Sequence, residues 1–314
     1  MRKLLSLAFI FILLKTNAQS DGARSHLPSP TGVWAVNTKY LNLDQNILPS
    51  GNLLLKNANI NVDVIPITLI HTFNIGKTWA RVFVMVAPVS SFKATTPISA
   101  LPINNINKSG FSDGWVSFEI GLKGNPAKNI IEFSKTAAPK FTMNGQFRIW
   151  YSGSYDPQKF VNLGSNRTTF DIGFPMAIRL NNDLKRTLWL ETWPGVQFYT
   201  ANNEPAKPST SNTVTQHPLI YLENHLSYNI TPKFYAGVDL RFQHGGESFS
   251  DGEGNDNRIS IIGSGLFAGY KFLPFVDFYA NYGGIIAAEN NAQSNMFRLN
   301  LVVSYINMKK YKNK

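Results

Sequence analysis

Glu223, His225 and Ser227 fall on alternate positions of one segment, and of this 314-residue chain's side chains they come nearest to acid–base or nucleophilic chemistry. In an extended backbone alternate residues share a face, but their side chains stand ~6–7 Å apart, beyond hydrogen-bond reach. A lipid-hydrolysing site on a membrane barrel needs serine beside histidine, both open to lipid. His71, His217 and His244 are the other histidines weighed for that role, and His225 shares its face with a carboxylate that belongs in an interior. No catalytic residue is assigned, and an enzyme is not expected. A second candidate is "SDGEGNDNR", where Asp251, Glu253, Asn255 and Asn257 recur at every second position, loosely as in a calcium loop. The twelfth place, which should carry a bidentate glutamate, is Ile262, so a polar loop is the better reading and no metal is assigned. No phosphate-cradling glycine loop or histidine–carboxylate metal motif occurs, and no cofactor is implied.

What remains is a set of charges spaced by two within otherwise apolar runs: Arg81, Glu119, Arg148, Asp171, Arg179, Glu191, Glu223, Asp239, Arg241, Asp277 and Arg298. The element that carries two of them shows what positions them all. In "RTTFDIGFPMAIRL", Phe170, Ile172, Phe174, Met176, Ile178 and Leu180 form one face, while Asp171, Gly173, Pro175, Ala177 and Arg179 form the other. That is strand periodicity, sustained well past the usual strand of about 5–6 residues. Twelve such segments are expected: 32–41, 60–74, 78–87, 114–123, 140–152, 168–180, 187–200, 217–230, 233–244, 258–272, 275–287 and 296–306. Each is near the ~9–11 residues that a tilted strand needs to cross a bilayer. The connections between them alternate long and short, as in an outer-membrane barrel with short periplasmic turns and longer outside loops. The fold expected is therefore all-β: an antiparallel up-and-down transmembrane β-barrel of about twelve strands. The alternative is a secreted β-sandwich, which has no need of that regularity.

The N-terminus agrees with export. "MRKLLSLAFIFILLKTNAQS" has two bases, an apolar core and small residues before a cut after Ala18, a secretory signal rather than a membrane span. The expected organisation is a signal peptide over 1–18, the barrel over 19–306 and a basic periplasmic tail over 307–314. Cysteine is absent, so neither disulfides nor thiolate metal sites support the fold. Charged residues are 16% and aromatics 13%, with mean hydropathy −0.13, which suits strands that alternate lipid and lumen contacts. The net charge of +11 falls to about +8 once Arg2, Lys3 and Lys15 leave with the signal. An exported chain has anionic lipid and lipopolysaccharide as its natural counter-charge, and nucleic acid is not an expected partner.

Assuming a barrel fixes sidedness. Phe297, Leu299, Leu301, Val303 and Tyr305 should meet lipid, with Arg298 and Asn300 turned inward; Arg or Lys at the midplane of the lipid face costs ~2–4 kcal/mol. The eleven interior charges are five basic and six acidic, and could form either a structural network or the lining of a path. The basic surplus then lies on the periplasmic side, at Lys77, Lys123, Lys128, Lys135, Lys140, Lys185, Arg186, Lys233 and Lys271. Aromatics near strand ends (Trp34, Tyr40, Trp79, Trp115, Trp150, Tyr151, Phe198, Tyr199, Tyr305) read as interfacial girdles. Two features sit badly. Pro66, Pro175 and Pro194 each forfeit a ladder bond unless bulges accompany them. "GNPAKNIIEFSKTAAP" is long on the short-turn side, and is either a small helix or two further strands.

Several stretches also resemble a known family. "VDVIPITLIHTFNIGKTWARVFVMVAPVSSF", "NRTTFDIGFPMAIRL", "LWLETWPGVQFYTANNE" and "HPLIYLENHLSYNITPKFYAGVDLRFQHGGES" are similar to successive motifs of the outer-membrane barrels labelled putative meta-pathway of phenol degradation. These motifs are a strand opening after Asn-Arg, an aromatic strand ending in Thr-x-Asn, and His-Gly-Gly after a Tyr/Asp-rich strand. The resemblance covers roughly residues 60–306. It implies a bacterial outer-membrane barrel, often labelled a transporter, and supplies no catalytic residues. The function expected is a channel or transporter, porin-like, for a small-molecule permeant of apolar or aromatic character. The alternative is a non-conducting structural or ligand-binding barrel acting through its long outer loops.

Overall fold

The computed structural model describes residues 21–47, 58–96, 106–207 and 209–308. The expected signal segment 1–18, residues 309–314 of the expected basic tail and parts of three connections lie outside them. Twelve staves form the sheet: β1 Val33–Gln45; β2, in two pieces, Asn59–Val64 and Ile67–Ile75; β3 Thr78–Thr95; β4 Gly110–Lys123; β5 Phe141–Tyr151; β6, also in two pieces, Thr169–Gly173 and Met176–Arg179; β7 Leu188–Tyr199; β8 Leu219–Asn229; β9 Phe234–Gly245; β10 Ile259–Leu273; β11 Val276–Ala288; and β12 Ser294–Ile306. Each pairs antiparallel with its neighbours in the chain, and Val33–Gln45 zips to Ile306–Ser294, which closes the ring. Closure removes every edge, which is how a sheet satisfies its backbone in lipid. The twelve staves correspond one to one with the twelve alternating segments of the sequence. β3 runs on to Thr95, paired there with β2, and β4 starts at Gly110, so 88–95 and 110–113, expected as loop, are strand.

The outer face is apolar on nearly every stave. Val84, Val116, Phe118, Phe147, Ile149, Phe174, Leu226, Val238, Leu266, Phe272, Tyr282, Phe297, Leu301 and Val303 are all exposed. A continuous exposed apolar belt of this kind suits hydrocarbon rather than water.

The prolines are absorbed by breaking staves. Pro66 and Pro175 sit at the gaps in β2 and β6, and their carbonyls still accept from Lys39 N (2.9 Å) and Asn144 N (2.9 Å). Pro194 stays inside β7, opposite Leu222. The 124–139 connection holds a six-residue helix, α1 (Ile130–Lys135), started by a capping box in which Asn129 accepts from Glu132 N and Glu132 reaches back to Asn129 N.

The girdle expectation needs correction. Trp34, Tyr40, Tyr151, Phe198 and Tyr305 do face outward, but Trp79 and Trp115 are buried inside, and Trp150 and Tyr199 line an interior cavity. Parity is the reason: Trp79 shares the face of Arg81, Trp115 that of Glu119, Trp150 that of Arg148 and Tyr199 that of Glu191.

Candidate functional site

The interior divides by height. At the short-turn end residues 21–32, ahead of β1, run up inside the barrel. Its base is tied by Thr31 N to Lys128 O (2.8 Å) and Gly32 N to Thr72 O (2.7 Å). Higher up, residues 21–26 are held by side chains of the wall. Glu191 accepts from two backbone donors, Arg24 N (2.6 Å) and His26 N (2.9 Å). Glu119 faces His26 Nδ1 (2.9 Å) and is gripped by Arg81, whose Nη1 also donates to Ser25 O (2.7 Å). The Arg24 guanidinium lies over Tyr235 and donates to Asn229 Oδ1 (2.6 Å). Asp21 pairs with Arg148 (2.6 Å), and its carbonyl takes Lys39 Nζ (3.0 Å). Burial alone would raise the Asp21 pKa, but Arg148, Lys39 and His26 together hold it below the ordinary 3.8.

Ion pairs across the wall follow from strand register. Arg81 stands opposite Glu119 and Glu223 opposite Arg241, and both pairs close, the second at 2.9 Å. His225 stands opposite Asp239, 2.5 Å away at Nδ1, and Asn281 also donates to Asp239. His225 and Ser227 thus face the interior, away from lipid. Arg148 is in register with Asp171 but reaches Asp21 instead. Asp171 accepts from Tyr221 Oη (2.7 Å) and Gln197 Nε2 (3.1 Å). Asp277 accepts from Tyr235 Oη (3.0 Å). Arg298 is buried near Tyr279, and Arg179 is half-buried toward the short-turn end.

Sequence reasoning missed Lys39, Arg167 and the whole of residues 21–26. Lys39 was readable, because it alternates with exposed Val36, Tyr40 and their like. Asp21, Arg24 and His26 lie outside any strand, so no period marks them. Asp251, offered as a cation ligand, instead accepts from Asn212 N (3.0 Å) and Thr213 N (2.8 Å), and Asn255 and Asn257 both donate to Ser248. These groups tie the loop together.

Above Asp21, toward the long loops, lies a cavity of about 390 Å³, within the ~300–1,000 Å³ range of small-molecule sites. Its two walls differ. Leu41, Leu43, Val64, Met85, Ile261, Ile285 and Met296 form a mainly apolar side from β10 round to β3, interrupted by Lys39, Gln45 and Arg298. Arg148, Asp171, Gln197, Tyr199, Tyr221, Glu223 and Arg241 form a polar, aromatic side on β5–β9. Residues 160–163 fold inward onto the apolar side, where Val161 and Leu163 are buried against it.

With this geometry in view, a family model described as "Putative MetA-pathway of phenol degradation" matches residues 49–301. The chain belongs to this family. The match begins after β1 and ends within β12, so it spans β2 to β11 and part of the closing strand. Among solved structures, an outer membrane channel from Pseudomonas putida F1 has the same fold. Its TM-score is 0.73 at 16% identity, with 90% of this chain and 99% of that chain covered. The translocator domain of the autotransporter NalP from Neisseria meningitidis is more distant (TM-score 0.48, 12% identity, 88% and 89% covered). So is the Pseudomonas putida toluene transporter TodX (0.45, 9%, 88% and 89%). A search of the curated proteins finds no match to this phenol-degradation family member.

Two of the three family-like motifs meet in space. Asn166 of Asn-Arg donates to Asn202 of Thr-x-Asn (2.9 Å), and Thr168 N donates to Thr200 Oγ1 (2.9 Å). Gly245 and Gly246, after His244, both take positive φ (104° and 66°), which glycine adopts at no steric cost. They turn the chain so that Gln216 Nε2 reaches Gly246 O (2.7 Å).

Proposed function

We propose that this chain is an outer-membrane channel or transporter that passes small apolar or aromatic molecules. After export and cleavage behind Ala18, the barrel sits with its short, lysine-rich turns and its tail in the periplasm, against anionic lipid and lipopolysaccharide. The observation that carries the reading is the two-walled cavity inside a closed, lipid-facing barrel. One wall suits hydrocarbon, the other suits polar substituents, and both stand across the axis that a permeant must follow. Residues lining that path include Arg148, Asp171, Glu223, Arg241 and Arg298. Arg81, Glu119 and Glu191 act lower down, where they hold residues 21–32 as a plug. Cleavage behind Ala18 would leave two residues, Gln19 and Ser20, ahead of Asp21. The plug is held largely by side chains, not by strand pairing, so it can leave without unzipping the wall.

The test is solute flux into liposomes and conductance in planar bilayers. The wild-type chain is compared with one carrying Glu119→Gln and Glu191→Gln, which weakens the grip on Ser25, His26 and Arg24. Flux at least tenfold above wild type is expected. A double variant that folds but stays closed to every small solute defeats the reading. The filled lower lumen favours a second reading, a non-conducting barrel that binds ligands through its outer loops. Excision of 201–213 that abolishes binding with permeability unchanged would support it.

A further inference from the structure

The ionic groups around the cavity are answered unequally. Asp21 has Arg148, Glu223 has Arg241, and Asp171 has Tyr221 and Gln197. Asp113 accepts from Gly153 N (2.9 Å) and Ser165 N (3.0 Å). Every carboxylate in the lining thus has a donor. Arg167 is the exception among the cations. Its guanidinium lies 4.6 Å over the Tyr199 ring, its Nε is buried, and among the described residues it makes no hydrogen bond or ion pair. A buried N–H without an acceptor is costly, and burial pulls the Arg167 pKa down from the ordinary arginine value, against the opposing pull of Tyr199 and Asp113.

This position is built, not incidental. Asn166 holds φ 53°, a left-handed conformation that asparagine tolerates. Its N–H donates to Ser152 Oγ (2.8 Å) and its side chain to Asn202 (2.9 Å). On the other flank the Thr168–Thr200 bonds fix the start of β6. Tyr199, under the guanidinium, is steadied by donating to Gln197 Oε1 (3.0 Å), and Gln197 in turn donates to Asp171. The Asn-Arg and Thr-x-Asn motifs therefore meet to present one unanswered cation to the cavity.

We propose that the cavity binds small amphipathic monocarboxylates, with the carboxylate on Arg167 and the ring or chain against Leu41, Val64, Met85, Ile261, Ile285 and Met296. This names the ligand class of the path described above and rests on that reading. A planar guanidinium takes a carboxylate through two parallel hydrogen bonds, each charge-assisted. One unpaired cation matches one negative charge. A dianion would bring a second charge beside Asp113, Asp171 and Glu223.

The experiment is calorimetric binding to the full mature chain in detergent, with benzoate, benzyl alcohol and phthalate as probes. Benzoate is expected to bind at least tenfold tighter than benzyl alcohol, which has the same ring and no charge, and tighter than phthalate. Arg167→Gln should weaken benzoate at least tenfold and leave benzyl alcohol within twofold; Arg167→Lys, which keeps the charge and loses the fork, should fall between. Equal affinities for benzoate and benzyl alcohol, or benzoate affinity unmoved by Arg167→Gln, overturn the proposal. If Arg167→Gln does not fold, the wild-type ranking of the three probes and the Arg167→Lys variant decide it. Conductance of the same preparation separates the two readings. A barrel that binds benzoate through Arg167 yet passes no solute sustains this proposal and sinks the channel. One that conducts without preferring benzoate does the reverse.

Discussion

The lower and upper halves of this lumen are made of the same residue types and behave as opposites. Below, Arg81, Glu119, Glu191, His26 and Arg24 find one another or a backbone donor within one dense network. Above, the carboxylates are paired, an apolar wall faces them across open space, and Arg167 is left over. A satisfied polar network rigidifies and fills. An unsatisfied one with room beside it is where a ligand would go. Composition alone could not separate the two roles, and the eleven interior charges expected from the sequence supply both.

The largest test of that contrast is Glu119→Leu. It strips the partner from Arg81 and from His26, both buried. Breaking a buried pair from one side costs about 3–5 kcal/mol. The expected result is release of the plug and a lower unfolding midpoint, read as the temperature at which the unboiled band shifts on electrophoresis. Replacing both partners, Arg81→Met with Glu119→Leu, should recover most of the barrel's stability while leaving the plug loose. If the single and double variants match, the network does not work as a unit.

Next in size is Gly173→Ala. A Cβ there would stand 2.1 Å from Trp193 Nε1, and the Trp193 ring packs edge-on to His26. Overpacking of this sort costs about 1–3 kcal/mol. Since Trp193 touches the plug below and lines the cavity above, the strain should reach both halves. Tryptophan fluorescence and flux should therefore move together.

How much of this was legible beforehand follows from what period 2 can encode. All twelve staves were readable, because a strand in lipid must alternate along its whole length. The inward direction of Glu119, Asp171 and Glu223 followed from the same rule. Even Trp79 and Trp115 were readable, had parity been given precedence over nearness to a strand end. Asp21, Arg24 and His26 were not, because a segment bound through its backbone by distant side chains has no period and no motif. Arg167 sat within a noticed motif, but its isolation is a three-dimensional fact, set by where Asp113 and Asp171 spend their own lone pairs.

A smaller effect is expected from acid. The Asp21 carboxyl is held below its ordinary 3.8 when docked on Arg148 and Lys39. A lowered folded-state value means that its contribution is fully present above about pH 4. It is lost as pH falls from 3.8 toward the docked value, when the carboxyl is protonated. Plug release should therefore rise below about pH 4, with flux flat between pH 5 and 8 so far as this group governs it. Asp21→Asn should abolish the acid step, and an unchanged step in that variant would assign it elsewhere.

The smallest expected change in stability is at Arg167, and it is the sharpest comparison with Glu119. Both are charged residues of the lumen, and a leucine at either removes one charge from the interior. Glu119→Leu leaves a buried cation behind. Arg167→Leu leaves no carboxylate without a hydrogen-bond donor: Asp113 keeps its two backbone donors, and Asp171 keeps Tyr221 and Gln197. The stacking on Tyr199 is lost, worth about 0.5–1 kcal/mol, against relief of an unpaired guanidinium, so the net should stay within about 0.5 kcal/mol, as at an ordinary surface site. The electrophoretic midpoint should hardly move while benzoate binding collapses. A midpoint that fell as far as in Glu119→Leu would mean that Arg167 is a structural member of the wall, and the difference between the two halves would vanish.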